Sequence, residues 1–149
     1  MNGGENGGAF FLDTNILVYS LAVNEPLKQP VATRLIQRAL DTQRGYISTQ
    51  VVQEFLNLAT RHANPVFAAS ETLEYLNKVL WPLCGHFPSH SAYEQALQIR
   101  LDTGYTFYDS LIVTAALQLG CKQLLTEDMQ HGHKIQGLTI LNPFAELSP

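Results

Sequence analysis

The sequence predicts an α/β protein with a mainly parallel sheet that is covered by helices on both faces. Short apolar runs of strand length alternate along the chain with longer segments whose apolar residues recur at helical spacing. The chain has 149 residues, of which 46% are hydrophobic, and this is enough for one sizeable core. No repeat or linker divides it, so we expect a single domain over residues 9–149.

The amino terminus and the cysteines bear on where the protein works. The first eight residues contain four glycines, so residues 1–8 are predicted to form a disordered tail. The chain has neither the features of a signal peptide nor an apolar run of the roughly 18 residues that a membrane span needs. We therefore expect a cytoplasmic protein in which Cys84 and Cys121 are reduced.

The first structured stretch covers residues 10–20. An apolar run stops at Asp13, Thr14 and Asn15, and apolar residues then resume at a spacing that suits a helix. This pattern predicts a buried strand, a polar turn and a helix. In an open α/β sheet such a turn lies at the carboxyl end of a strand, where ligands bind. Asp13 either points into a crevice there or simply caps the helix.

Two helices and a short strand are predicted between residues 30 and 62. The first helix covers 30–40, and the strand at 45–48 leads to Ser48. Ser48 is expected to cap a second helix that continues to residue 62. Glu54 lies just outside the apolar arc of this helix, so its carboxylate either faces a cleft or is an ordinary solvated group.

Prolines and serines delimit the middle of the chain. A helix over 70–81 is expected to turn Leu73 inward and to end at Pro82. A short strand is expected within 83–88, and Ser89 is expected to cap a helix that ends before Gly104.

Asp109 opens a strongly apolar helix that ends at Gly120. On a helical wheel Asp109 projects toward Ile112, Val113 and Ala116, the face that must pack inward. An aspartate in the first turn also interacts favourably with the helix dipole, so this simpler role stays open. A carboxylate on an apolar face nevertheless needs a partner.

The last two strands are expected at 122–126 and 138–141. The first of them would carry Thr126, Glu127 and Asp128 at its carboxyl end. That arrangement repeats the topology predicted for Asp13.

Four acidic side chains thereby share one setting, and clustered carboxylates repel one another unless protons or a cation neutralise them. An all-oxygen ligand set without cysteine suits Mg²⁺ or Mn²⁺, and a pair of such ions would activate water for phosphodiester hydrolysis. The candidate metal ligands are Asp13, Glu54, Asp109 and Asp128. The candidates to orient these carboxylates are Thr14, Asn15, Ser110 and Thr126.

The formal charge of −4 does not exclude a nucleic-acid partner. If four of the 13 acids bind metal, the other acids balance the 9 Lys and Arg residues. His131 and His133 flank a glycine and offer a rival phosphate or metal site, although a solvated loop is the simpler interpretation. The basic residues nearest in sequence to the proposed crevice are candidates for phosphate binding, namely Arg44, Arg61, Lys122 and Lys134.

These motifs resemble those of PIN domains. They are Asp-Thr-Asn after an apolar strand, Val-Val-Gln-Glu-Phe around Glu54, Tyr-Asp-Ser-Leu-Ile at 108–112 and Thr-Glu-Asp-Met-Gln-His-Gly at 126–132. They occur in the order of the family, over residues 10–144, and come closest to the ribonuclease toxins of VapBC toxin–antitoxin modules.

The resemblance implies a three-layer α/β/α fold with a parallel five-stranded sheet and Mg²⁺- or Mn²⁺-dependent cleavage of RNA. It also implies a cognate antitoxin as partner, and a homodimer. On the family's pattern the acidic positions are Asp13, Glu54, Asp109 and Asp128, with Asn15 and Thr126 on supporting polar positions.

We therefore expect an endoribonuclease toxin of a type II toxin–antitoxin module. One alternative is a PIN-like module that binds RNA or protein without cutting, although the four acids argue against it. Another is a phosphohydrolase that forms an aspartyl phosphate on Asp13. Such enzymes usually have a second acid two residues on, where this chain has Asn15. Glu127 beside Asp128 also leaves open which carboxylate reaches the metal.

Overall fold

The computed structural model describes residues 8–61 and 67–147. Residues 1–7 of the predicted tail and His62, the predicted end of a helix, lie outside the described residues. The strands are β1 Phe10–Leu12, β2 Gly45–Ser48, β3 Cys84–His86, β4 Gln123–Leu125, β5 Lys134–Ile135 and β6 Leu138–Leu141. The helices are α1 Thr14–Ser20, α2 Lys28–Thr42, α3 Thr49–Ala59, α4 Ala69–Tyr75, α5 Trp81–Leu83, α6 His90–Thr103 and α7 Phe107–Gln118, with a π-helical turn at Leu76–Leu80 between α4 and α5.

The six strands form one sheet in the order β3-β2-β1-β4-β6-β5. β1 pairs in parallel with β2 on one side and with β4 on the other. The chain builds outward from β1 to β3 and then returns to add β4 on the opposite side. The strand order therefore reverses between β1 and β4, and ligands of open α/β sheets bind outside the carboxyl ends of the strands at such a switch point.

Five of the strands are parallel, and the predicted α/β class is confirmed. The expected count of five strands is one too low, because β5 pairs antiparallel with β6 at the edge of the sheet. A two-residue turn at Gln136 and Gly137 joins these strands, and both residues have positive φ, of 50° and 89°. A strand of two residues is too short to produce an alternating sequence pattern, which is why it was missed.

The sheet is covered on both faces. Side chains of consecutive strand residues point to opposite faces, and Phe10, Phe11 and Leu12 of β1 are at most 1% exposed. This burial requires a helical layer on each side of the sheet, in agreement with the expected three-layer α/β/α fold. No helix in the described ranges combines the length and hydropathy that a membrane crossing requires.

The helix predicted over 70–81 is interrupted by the π-helical turn and does not end at Pro82. Pro82 lies in the first turn of α5, where its missing N–H is tolerated. Leu73 is 59% exposed, contrary to the expected inward position. Tyr75 faces inward in its place and stacks on Phe55, with 4.8 Å between the ring centroids.

Candidate metal centre

Asp13 lies between β1 and α1, at the carboxyl edge of the sheet where the strand order reverses. Its backbone N–H donates to the carbonyl of Leu125 in β4, at 3.0 Å. One carboxylate oxygen accepts from the Thr14 N–H at 2.8 Å, and the other accepts from the Thr126 hydroxyl at 2.7 Å. The residue is 5% exposed. Asp13 therefore caps α1 and is also fixed in a buried position beside β4, so the two interpretations of this residue are compatible.

Glu54 is held near Asp13 by two donors. The Thr14 hydroxyl donates to Oε1 of Glu54 at 2.5 Å, and the side-chain amide of Gln50 donates to Oε2 at 3.2 Å. Glu54 is thus a positioned carboxylate rather than an ordinary solvated one.

The helix that carries Glu54 begins where predicted. Ser48 caps α3, and its hydroxyl accepts from the Val51 N–H at 3.4 Å.

Asp109 lies in the first turn of α7, and Thr106 is the N-cap of that helix. The Thr106 hydroxyl accepts from the Asp109 N–H at 3.1 Å. Because Thr106 performs the capping role, the carboxylate of Asp109 is not needed for it. Asp109 is half-buried, and the residues that follow it from Ser110 to Ala116 are all buried.

The turn after β4 is tied to α1 by Asn15. The side-chain amide of Asn15 donates to Oδ2 of Asp128 at 3.1 Å, and its side-chain oxygen accepts from the Glu127 N–H at 3.3 Å. The Thr126 hydroxyl accepts from the Asp128 N–H at 3.1 Å and donates to Asp13. Asn15 and Thr126 therefore orient two of the four predicted carboxylates.

Glu127 and Asp128 differ in their surroundings. Glu127 accepts from Lys28 and from the Tyr19 hydroxyl, each at 2.5 Å. Burial raises the pKa of Glu127, but the hydrogen bonds from Lys28 and Tyr19 outweigh it and hold the pKa below its usual value. Asp128 is exposed, and its charge raises the pKa of Asp13. Of these two neighbours, Asp128 is the one that acts on the buried acid.

The pKa of Asp13 reports the electrostatics of the site. Burial raises it from 3.8 to about 7, against the lowering effect of the hydrogen bonds from Thr126 and Thr14. The negative charges of Glu54 and Asp128 contribute to this rise. In the absence of a cation, burial therefore favours the protonated form of Asp13.

The pKa of Asp109 is also raised. Burial is the largest cause, the charge of Asp128 is the next, and the charge of Glu54 adds to both, while a hydrogen bond with Thr106 lowers the pKa. Asp128 and Glu54 thus act on both Asp13 and Asp109. The structure brings the four predicted acids into one electrostatically coupled group.

The carboxylate oxygens of this group are the kind of donor that a divalent cation takes. Within the described ranges, no three His, Cys, Asp or Glu side chains lie close enough together to enclose an ion by themselves. Mg²⁺ does not need such a cage, because it usually keeps several waters and takes only one or two carboxylates. A cation would also offset the repulsion between the carboxylates and the cost of burying their charge, the two effects that raise the pKa values of Asp13 and Asp109. The acids that could hold it are Asp13, Glu54, Asp109 and Asp128.

Two buried polar residues beside the acids have a hydrogen-bonding atom without a partner in the described part of the chain. The hydroxyl of Ser110 makes no hydrogen bond there, so no contact supports its predicted orienting role. Gln50, which sequence reasoning missed, donates to Glu54 and to the Tyr108 carbonyl, both at 3.2 Å, while its own Oε1 has no donor. Its position four residues before Glu54, on the same helix face, was the available signal.

Most of the proposed phosphate-binding residues lie elsewhere. The carbonyl of Arg44 accepts from the Phe10 N–H, and the N–H of Lys122 donates to the Ala9 carbonyl, so both backbones lie at the amino ends of the strands. Lys134 is paired with Thr139, and Thr139 is paired with Gln123, the first residue of β4. The backbone of Lys134 therefore also lies at the amino end of the neighbouring parallel strands. Proximity in sequence misled here, because a residue before a parallel strand lies at the opposite edge from a residue after it.

The two loop histidines make hydrogen bonds to residues other than the four acids. Nδ1 of His133 is 2.7 Å from the Tyr105 hydroxyl, and Nδ1 of His131 accepts from the Asn142 N–H at 2.9 Å. These contacts favour the simple interpretation of a solvated loop, in which His131 is exposed, over a rival phosphate or metal site.

A crevice of about 530 Å³ opens beside the acids. Its walls come from α1, α3 and the turn after β4, and Glu54 and Asp128 both line it. The crevice therefore connects solvent to the acidic group at the switch point.

The free energy of unfolding of the metal-free protein is expected to fall as the pH rises from about 4 to about 7. The carboxyl of Asp13 titrates near 3.8 when unfolded and near 7 when folded, so the folded state binds the extra proton within this window. This pKa difference corresponds to roughly 4 kcal/mol at most. Denaturant unfolding in EDTA across the window measures it. A parallel pH profile for the Asp13→Asn variant would contradict the assignment.

Comparison with known proteins bears on the same residues. A family model described as PIN domain matches residues 10–134. Among curated protein sequences, no significant match is found.

Several solved structures share the fold. A toxin–antitoxin complex from Klebsiella pneumoniae has 19% identity and a TM-score of 0.65, covering 91% of this chain and 97% of that chain. DNA-bound VapBC from Salmonella typhimurium has 21% identity and a TM-score of 0.65, covering 89% and 96%. FitAcB from Neisseria gonorrhoeae has 19% identity and a TM-score of 0.59, covering 91% and 99%. At these identities the likeness concerns the fold.

Proposed function

The chain belongs to the PIN-domain family, and on this premise we propose that it is a cytoplasmic, divalent-metal-dependent endoribonuclease, the toxin of a type II toxin–antitoxin module. One observation carries the proposal. Four acids from different parts of the chain form one coupled group at the switch point of the sheet, and these are Asp13, Glu54, Asp109 and Asp128.

The proposed reaction is hydrolysis of an RNA phosphodiester bond. Bound Mg²⁺ or Mn²⁺ would activate the attacking water and stabilise the leaving oxygen. With the metal bound, Asp13 would be ionised, since a nearby cation favours the charged form of a carboxyl group. Thr14 and Thr126 hold the two oxygens of Asp13 by hydrogen bonds, and Thr14 also orients Glu54. These contacts keep the ligands in place before substrate arrives.

Gln50 is proposed to position Glu54. The Gln50→Ala variant is expected to lose about 10- to 100-fold in Mg²⁺ affinity or cleavage rate, because Glu54 loses a donor that also ties α3 to the start of α7. Gln53→Ala is the matched control, since Gln53 is exposed on the same helix. A titration of Mg²⁺ against thermal stability gives the affinity without relying on activity. Equal midpoints for the two variants would contradict the positioning role.

The proposed partners are RNA, a cognate antitoxin protein and a second copy of the chain. The solved structures of similar fold include toxin–antitoxin complexes, which supports an antitoxin here. An arginine of the antitoxin would bind the carboxylates in bidentate fashion and displace the metal.

Exposed apolar side chains such as Leu73 and Trp81 support self-association. A monomer in light scattering at micromolar concentration would count against the homodimer.

One assay tests the proposal. Purified protein is incubated with single-stranded RNA and with a phosphomonoester, each with Mg²⁺, with Mn²⁺ and with excess EDTA. We expect RNA cleavage that requires a divalent ion. Phosphomonoester hydrolysis without RNA cleavage would favour the aspartyl-phosphate alternative, and RNA binding without cleavage would favour a non-catalytic module. Undiminished cleavage in EDTA would exclude the metal mechanism.

A further inference from the structure

The wall of the crevice beyond the acids is neutral and carries an unused amide. Asn57 and Leu58 lie three and four residues after Glu54 on α3, so they continue the same helix face by one turn. Val18 of α1 lines the crevice too. Asn57 is exposed, and its side-chain amide makes no hydrogen bond within the described residues. An aliphatic surface therefore lies next to a free donor and acceptor.

The crevice lacks a cation that would hold a phosphate. None of the described residues that line it is Lys, Arg or His. The nearby ammonium of Lys28 is already paired with Glu127 and bonded to the Tyr19 hydroxyl. Glu54 and Asp128 add negative charge to the lining. These charges repel any phosphate that does not itself contact the metal. The part of a nucleic acid that suits this wall is thus an uncharged one.

We propose that the crevice binds one nucleobase of the RNA substrate, next to the phosphate that is cleaved. The inference rests on the proposed function and deepens it. Leu58 and Val18 contact the faces of the base, while the amide of Asn57 hydrogen bonds to its edge. Proteins that recognise single-stranded RNA by sequence take up splayed bases one at a time and hydrogen bond to their edges. A volume of about 530 Å³ lies within the range of small-molecule sites.

The proposal makes the crevice a source of sequence preference. Asn57 offers both a donor and an acceptor, so it discriminates between bases whose edges differ. Metal binding should not depend on Asn57, because its amide makes no contact with any of the four acids. Loss of this amide should therefore change the choice of base and leave the Mg²⁺ affinity unchanged.

The test is a double-mutant cycle that combines a substitution in the protein with a substitution in the RNA. A randomised single-stranded RNA pool with Mg²⁺ first identifies the positions around the cleaved bond at which the parent prefers a base. The preferred base is then replaced at each position, in turn, by another base or by an abasic nucleotide. The parent, Asn57→Ala, Leu58→Ala and the control Gln53→Ala are compared by kcat/KM, and thermal melts with and without Mg²⁺ establish that each variant folds and binds metal.

We expect the protein and RNA substitutions to have non-additive effects on kcat/KM at only one position of the RNA. The preference there should fall about 5- to 10-fold in Asn57→Ala, as for the loss of one hydrogen bond, and the abasic substitution should cost less in Leu58→Ala than in the parent. Gln53→Ala should keep every preference. Additive effects at all positions, with cleavage intact, would overturn the nucleobase site alone and would suit a crevice reserved for an antitoxin side chain. A parent that cuts no RNA would overturn the proposed function as well.

Discussion

The Asp13→Asn variant is expected to lose RNA cleavage by at least about 100-fold, while its metal-free form is at least as stable as the parent above pH 7. Asparagine keeps the shape of the side chain and remains a good N-cap for α1. It removes a charge that burial disfavours, since the pKa of Asp13 is about 7 in the folded protein. Cleavage assays with Mg²⁺ and denaturant unfolding at pH 8 in EDTA measure the two effects.

The matched control for Asp13→Asn is Asp102→Asn. Asp102 is an exposed acid on α6, and its side chain accepts a hydrogen bond from Gln98 at 2.9 Å. Its neutralisation should alter neither cleavage nor the pH dependence of stability. Cleavage by Asp13→Asn at the rate of the control would remove Asp13 from the metal centre.

The Asp109→Asn variant is expected to reverse its rank in stability when Mg²⁺ is added. Without metal it should be at least as stable as the parent, by something on the order of 1 kcal/mol, because the charges of Asp128 and Glu54 no longer face a third carboxylate. That gain is small because the side chain is only half-buried and solvent screens it. Saturating Mg²⁺ stabilises the parent by about 2.7 kcal/mol at 100 times its Kd. The variant should gain less, since it lacks one ligand.

Thermal melts with and without Mg²⁺, together with a cleavage assay, distinguish these outcomes for Asp109. A residue that only favoured the helix dipole would be replaced by asparagine without loss of cleavage or of metal binding. Equal metal-dependent shifts in the parent and Asp109→Asn, with cleavage retained, would therefore exclude Asp109 from the site.

Local sequence patterns predicted much of the fold, and the resemblance to PIN domains is confirmed by the family match. Ser48 and Ser89 cap helices where expected, and β6 has the predicted bounds of 138–141. Caps and buried strands depend on residues within a few positions, so a single sequence carries the signal. β5 escaped because two residues are too few for a pattern, and the inward face at Leu73 was wrong because Tyr75 packs on Phe55 instead.

Local periodicity in the sequence determined the fold class and placed Asp13, Asp109 and Asp128 at a strand end or in a helix first turn. The family, and Glu54 as the fourth acid, came from the resemblance of short motifs to PIN domains. Only the tertiary structure decided how those acids are used. Thr14 reaches Glu54 across 40 positions, and Lys28 engages Glu127 across 99 positions. Such pairings, and the burial that raises the pKa of Asp13, exist only once the parallel strands align their carboxyl ends at one edge. That alignment is a property of the packed sheet, and no segment of the chain encodes it alone.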